Sequence, residues 1–409
     1  MYSESTTPDS GRGPWARVLT APQVRTLAAA SVVGRMPFGM GGVALVIFVH
    51  VQTGSFGVAG VVTGFYALAF ALAGPLLGRQ VDRRGPIPVL APAAAVCAVA
   101  FCAIVAIGNG GAPTVPLTLA AVVAGATVPP ISGVVRGIWP ALVPRRDLTH
   151  AYLLDSILIE LVFVVGPLLT GLLSATVSPA APLFVAAVFV VLGTAWFLLV
   201  PAVHAEEPAH PEHHTRAGAL ASPAIRFVIF LGLPIGASFG ALDVALPAFG
   251  AAHGSTSLGG LFAAAISLGS MLGALIYGVV GARLGNLRQA SLRLAALQPL
   301  VIAPLLLAPS SLALVFLALP AGSFAAPLIT LRSRAAELTM PPGTGTETFT
   351  WALLAVMVGV SASAALAGPL VEAGGWRLGV VFAIAVPVAA FPAIYAGRRL
   401  LPTAHLQHM

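Results

Sequence analysis

The chain has 409 residues, of which 58% are hydrophobic and only 8% charged, with 44 glycines and 34 prolines spread along its length. A soluble protein of this size needs far more charged surface to stay dissolved, which excludes the usual soluble enzyme and binding-module classes. The formal charge of +7 invites a nucleic-acid reading, but such a patch must cluster on one soluble face, and no soluble domain is present to carry it.

In chain order, apolar stretches long enough to cross a hydrocarbon core of about 30 Å recur throughout. Twelve are expected, near 24–49, 55–78, 87–109, 115–137, 150–175, 179–201, 223–250, 256–281, 289–308, 311–332, 347–372 and 376–397. Lipid offers the backbone no hydrogen-bond partners, so each crossing is a helix or part of a closed barrel. Barrel strands alternate apolar and polar residues; LFVAAVFVV (residues 183–191) does not. The expected fold class is therefore an all-α membrane protein with twelve transmembrane helices. The first 23 residues are polar, contain Arg12 and Arg17, and lack the short apolar core and small-residue cleavage site of a secretory signal.

The arginines orient the chain. There is no lysine, and eighteen of the twenty arginines lie in the N-terminal segment, the even-to-odd loops, adjacent helix ends or the C-terminal tail. Arg377 is on the opposite side and Arg35 lies inside the first crossing. This positive-inside pattern puts both termini in the cytoplasm. The expected layout is a cytoplasmic N-terminal segment (1–23), a six-helix bundle (24–201), a cytoplasmic central loop (202–222), a second six-helix bundle (223–397) and a cytoplasmic tail (398–409). The two bundles repeat one another. PPISGVVRGIWPALVP and VVGPLLTGLL in the first half have their counterparts in AAPLITLRSRAAELTMP and ALAGPLVEAGG in the second. Parallel six-helix repeats place a substrate site near the bilayer midplane between them.

Charge inside the membrane is costly and marks a site or a partner. Arg35 lies about 11 residues into the first crossing, roughly 16 Å deep at helical rise. Glu160 lies at a similar depth in the fifth, so an Arg35–Glu160 pair is geometrically plausible. That pair is either structural or a proton site in which Arg35 tunes Glu160 and orients the substrate. Asp155 points about 140° away from Glu160 around the same helix, within reach of Arg136, Arg145 or Arg146. It reads as a charged helix end paired with local arginines, and as a third proton-site candidate. Asp243, in the outer part of the seventh crossing, is a candidate for a proton or for a cationic group of a substrate. His204, His210, His213 and His214 sit in a Pro- and Ala-rich linker without ordered ligand spacing, so no metal is expected. Cys97 and Cys102, five apart on one helix, read as packing residues.

The loop after the second crossing, within GPLLGRQVDRRGPIPVL (residues 74–90), concentrates four charges in six residues. Gly78-Arg79-Gln80-Val81-Asp82-Arg83-Arg84-Gly85 resembles the loop motif of the major facilitator superfamily, G-x-x-x-D-R-x-G followed by basic residues. It departs where Pro86-Ile87-Pro88 replaces the usual Arg or Lys. The resemblance covers essentially the full chain and implies a secondary transporter working by alternating access, with two pseudo-symmetric bundles around a cavity lined by the first, fourth, seventh and tenth crossings. It implies that Asp82 meets a helix N-terminus of the other half, and that Arg83, Arg136, Gly78 and Gly85 complete a lock on the outward-facing state; the plainer reading is that the charged loop only holds topology. VVGPLLTGLL resembles the family's antiporter motif. Gly166, Pro167 and Gly171 match it, Val162 and Thr170 stand where glycines are usual, and Gly368-Pro369 repeats the feature. Helix packing alone is the plainer reading here too.

A chain without lysine has no G-x-x-x-x-G-K-[ST] loop, and neither H-E-x-x-H nor C-x-x-C occurs. No Ser, His and Asp stand in a recognisable nucleophile setting: the letters G-x-S-x-G at residues 236–240 fall inside the expected seventh crossing, not on a strand-to-helix turn. No enzymatic activity and no cofactor are expected. The expected function is proton-coupled efflux of a small organic solute, from a bacterial plasma membrane, with lipid, solute and protons as partners. A nutrient importer or uniporter of the same fold, and a non-transporting sensor or assembly partner, are the alternatives. Oligomeric state has no signal in the sequence.

Overall fold

The computed structural model describes residues 14–111, 113–144, 147–204, 219–280, 283, 285–341 and 345–403. Apart from short connections those residues are helical. A short helix α1 (Pro14–Thr20) leads into the first crossing, α2 (Val24–Thr53). The second and third crossings are α3 (Phe56–Arg84) and α4 (Ile87–Asn109). The fourth is split into α5 (Thr114–Ala126) and α6 (Ile131–Leu142). Pro129 and Pro130 stand in the break, where neither can donate a backbone hydrogen bond. The fifth and sixth are α7 (Leu148–Thr176) and α8 (Ala181–Leu198), followed by the single turn α9 (Pro201–His204).

The second half repeats this order. The seventh crossing is α10 (Pro223–Phe230) and α11 (Gly232–Ala252), the eighth α12 (Leu258–Val280), and the ninth α13 (Leu287–Ile302) with a 3₁₀ extension over Ala303–Leu307. The tenth is α14 (Ser311–Gly322) with α15 (Ala325–Thr339). The breaks have a common cause. Pro234 and Pro327 lack the N–H that the carbonyl four residues earlier needs, and those carbonyls belong to Phe230 and Ser323, where the helices stop. The last helix, α16 (Gly345–Ala396), is continuous except at Gly374 and Gly375, whose backbones are non-helical. Gly375 has φ 71°, a left-handed value that suits glycine. Eleven spans are long and apolar enough to cross a membrane, and the last, Trp351–Leu400, is 50 residues. The glycine turn divides it, giving twelve crossings.

Apolar side chains cover the outside: Leu307 is 80% exposed and Val99 68%, which is stable only against lipid. Inside, glycine lets helices touch backbone to backbone. In the first half Gly39 of α2 lies against Val162 and Gly166 of α7; in the second Gly236 of α11 lies against Val356 and Gly359 of α16. These contacts pair Pro37-Phe38-Gly39 with Pro234-Ile235-Gly236 and fix the register of the internal repeat.

The halves meet along two seams, α3 against α16 and α7 against α12. A Cβ on Gly171 would lie 2.8 Å from the Ser257 carbonyl oxygen, and one on Gly368 2.5 Å from that of Phe56. Ser361 donates to the Gly64 carbonyl at 2.6 Å. All of these contacts lie toward the loops opposite the termini. Further along α3, a Cβ on Gly74 or Gly78 would meet nothing within 4 Å. The halves are thus joined at the face away from the termini.

Candidate functional site

Three ionised side chains converge at the inner part of the first half. Arg35 is 4% exposed and its Nη2 donates to Asp155 Oδ1 at 2.7 Å. Arg136 Nε, on a side chain 55% exposed, donates to Asp155 Oδ2 at 3.2 Å. Asp155 itself is 1% exposed. One carboxylate thus serves two guanidiniums from α2 and α6, while Arg35 Nε and Nη1 have no hydrogen-bond partner.

The expected Arg35–Glu160 pair does not form, and helix geometry explains why. The Cα–Cβ bond of a helical residue tilts toward the helix N-terminus, and α2 and α7 both start on the side of the termini. Arg35 therefore reaches back toward the start of α7, where Asp155 stands, rather than forward to Glu160. Arg136 is likewise committed to Asp155 in this conformation. The expected partners Arg145 and Arg146 lie outside the described residues.

Glu160 and Asp243 share a different situation. Each is partly exposed, lies within a span, and has no ion-pair or hydrogen-bond partner among the described residues. Near Glu160, Phe163 on α7 meets Phe38 of α2 edge-on at 5.0 Å between ring centres, and Phe38 stacks on Phe70 of α3 at 4.7 Å. An aromatic cluster and a carboxyl group one turn away therefore share the first half.

The residues of the charged loop are partly visible. Gly78 faces open space, Arg83 is exposed, and Gly85 (φ 81°) ends α3, its N–H bonding to the Val81 carbonyl at 2.8 Å. The side chain of Asp82 lies outside the described residues. The Gly-Pro segments sit at close approaches. Gly166 packs on Gly39 within the first half, Gly171 on Gly260 across one seam, and Gly368 on Gly57 across the other. Pro167 and Pro369 lie within their helices.

Sequence reasoning passed over two groups. The first is Glu372, which accepts hydrogen bonds from the Ser55 hydroxyl and from the Gly57 N–H (2.9 Å). A carboxylate of the second half thus sits on the N-terminus of α3 in the first, where orphan amides and the helix dipole favour negative charge. His50 and Phe56 stack beside it, ring centres 3.6 Å apart. Its signal was an acid three residues after Pro369, in a chain with only 13 acidic residues. The second is Arg332, 6% exposed, whose Nη1 donates to the Ala352 carbonyl at 2.8 Å. The expected tenth crossing stops at 332, whereas α15 continues to Thr339. That extension puts Arg332 inside the fold.

Among the described residues, no group of three or more His, Cys, Asp or Glu side chains is placed to hold a metal. His210, His213 and His214 lie outside the described residues. Cys97 and Cys102 are both free.

The same architecture is found in solved transporter structures. A variant of the nucleoside transporter NupG superposes with a TM-score of 0.73 at 14% identity, covering 91% of this chain and 98% of that one. A POT family transporter in complex with a thioalcohol-conjugated peptide gives 0.70 at 14% identity, covering 92% and 96%. A bacterial homologue of the iron transporter ferroportin, in its inward-facing state, gives 0.70 at 17% identity, covering 91% and 98%. At such identities the likeness shows the fold alone. No curated protein matches the chain. The family model described as Major Facilitator Superfamily matches residues 27–297. With twelve crossings in two repeated bundles and that match over most of its length, the chain belongs to the Major Facilitator Superfamily.

Proposed function

We propose that this membrane transporter exports a small organic solute in exchange for protons across a bacterial plasma membrane, with both termini in the cytoplasm. The observation that carries the reading is the pair of carboxyl groups, Glu160 and Asp243, within the membrane-spanning helices and without a cationic partner among the described residues. An unpaired carboxylate in that setting is costly, so each of these groups gains by holding a proton or a positively charged substrate group. Asp155 is unsuited to that task, since each of its oxygens already accepts a hydrogen bond from a guanidinium. Arg35 then acts on the site by fixing α2 to α7. Phe38, Phe70 and Phe163 offer an apolar wall to the solute.

Alternating access is supported by the seams. In the structure the halves close at the face away from the termini, so with cytoplasmic termini the cavity is open to the cytoplasm and ready to load a solute for export. In the opposite state Asp82, Arg83 and Arg136 come together as the lock, which requires Arg136 to leave Asp155. The glycines at 171, 260, 57 and 368 let the seams part and close without interlocking side chains.

Proton flux in inverted membrane vesicles tests the proposal. A pH-gradient dye follows each addition from a panel of antibiotics, dyes and small metabolites, alongside Glu160→Gln and Asp243→Asn. A compound that dissipates the gradient only with the carboxyl groups intact supports antiport and identifies a substrate. Solute movement without any proton movement overturns the coupling and leaves a uniporter; binding without flux leaves a sensor.

A further inference from the structure

We propose that the second half contains a binding site for a small inorganic monoanion of halide size, built around Arg332. The guanidinium stays charged in any protein environment. It is 6% exposed, and its Nη1 is bonded to the Ala352 carbonyl, but its Nε has no hydrogen-bond partner. No carboxylate lies within ion-pairing distance among the described residues. A buried cation left in that condition is strongly destabilising.

The guanidinium borders a cavity of about 20 Å³ between α10–α11, α13, α15 and α16, lined by Pro234, Ser291, Gln298, Leu328, Arg332 and Ile394. That is room for one water-sized particle or an ion little larger. The polar side chains around it have committed their donors elsewhere. Gln298 Nε2 donates to Ser238 Oγ at 2.8 Å, Ser238 donates to the Ala383 carbonyl at 2.9 Å, and Ser291 donates to the Leu287 carbonyl at 2.8 Å. What remains without a partner is the N–H of a cation, which asks for an acceptor carrying negative charge. Water supplies the acceptor without the charge. Phosphate and sulfate are too large for the cavity, whereas a polarisable halide tolerates the apolar walls of Leu328 and Ile394.

The internal repeat strengthens the case. Aligning Pro37-Phe38-Gly39 with Pro234-Ile235-Gly236 places Arg35 opposite Gly232, and the Arg332 guanidinium lies against Gly232. Both halves thus bury a guanidinium at corresponding places, delivered from α2 in one and from α15 in the other. The first half supplies Asp155 as the counter-charge. In the second half, the halide fills that role.

Thermal unfolding of the purified full chain in detergent tests the site, with chloride or bromide exchanged for gluconate at constant ionic strength. The expected result is a saturable rise in Tm of roughly 2–4 °C with either halide and none with gluconate. Arg332→Gln should abolish the response. Ser291→Leu, which fills the cavity and keeps the charge, should also abolish it, and serves where Arg332→Gln does not fold. Equal behaviour in halide and gluconate overturns the proposal, as does a halide response unchanged by Ser291→Leu. The measurement involves no transport, so its outcome is independent of the efflux reading.

Discussion

The two halves of the molecule share one scaffold and spend their charge differently. In the first half a buried arginine, Arg35, is tied to a carboxylate of its own bundle, and that carboxylate also holds Arg136. In the second half, Arg332 is buried with a carbonyl for company, and Asp243 lies within its span with no cation beside it among the described residues. The same contrast recurs along a single helix. Asp155 and Glu160 are five residues apart on α7, yet one is fully committed to arginines and the other to none. What differs is position along and around the helix. Asp155 stands nearer the start of α7, where the backward-leaning Arg35 and the Arg136 side chain reach it, and Glu160 stands five residues further along and about 140° around the helix. A carboxyl group's chemistry in this protein is thus set by which arginines can reach it.

Breaking the paired side of the contrast should have the largest effect. Asp155→Ala leaves Arg35 buried without its counter-charge, and a loss of about 3–5 kcal/mol is expected, read as poor yield and a lowered unfolding midpoint in detergent. Combining Arg35→Met with Asp155→Leu should recover much of that loss, because Arg136 is half exposed and can turn to water. A double variant as unstable as Asp155→Ala would mean that Asp155 acts through something other than Arg35.

The seams come next. Gly260→Val puts a side chain into the Pro167 carbonyl and the Gly171 backbone, and overpacking of this kind costs about 1–3 kcal/mol. The cost falls on the state in which that seam is closed, so solute flux should drop roughly tenfold while the unfolding midpoint moves little. A large fall in the midpoint with flux per folded molecule unchanged would make Gly260 a packing residue alone.

Glu160→Gln sharpens the comparison from the other side. Removing an unpaired carboxyl should change stability by about 0.5 kcal/mol or less, while flux loses its dependence on the pH gradient. If the variant instead unfolds as Asp155→Ala does, Glu160 is structural and the contrast along α7 disappears. The smallest effect is expected at Glu372→Gln. Its carboxylate is exposed to water, which screens its hold on α3. The closed seam should be favoured less by a factor of a few, measured as faster cross-linking of a cysteine pair placed at the opposite ends of α3 and α16.

The crossings were legible because each carries its own signal: a long apolar run, ended by glycine, proline or arginine. The turn between the eleventh and twelfth crossings was marked by Gly374-Gly375, although the helices on either side are otherwise continuous. Legibility failed where an answer depended on side-chain direction or on an exact helix end. Sequence spacing made Arg35 and Glu160 equal in depth, and only the backward tilt of helical side chains decides for Asp155. Arg332 escaped because hydropathy falls off before α15 ends, so a buried arginine read as a flank. The glycine contacts across the seams could be suspected from the Gly-Pro segments, but their partners, Gly57 and Gly260, belong to helices far away in the chain and no local pattern connects them.

The bare backbone contacts at those seams also bear on speed. Where two helices meet through glycine there are few side chains to withdraw and re-seat, so parting them there requires little rotamer rearrangement. Beyond the hydrogen bonds of Ser361 and Glu372 across one seam, the friction of the rocking motion then comes from the lipid and from whatever fills the cavity. A carrier built this way should turn over at a rate that follows membrane fluidity closely, and a cell that stiffens its bilayer would slow it without touching a single residue.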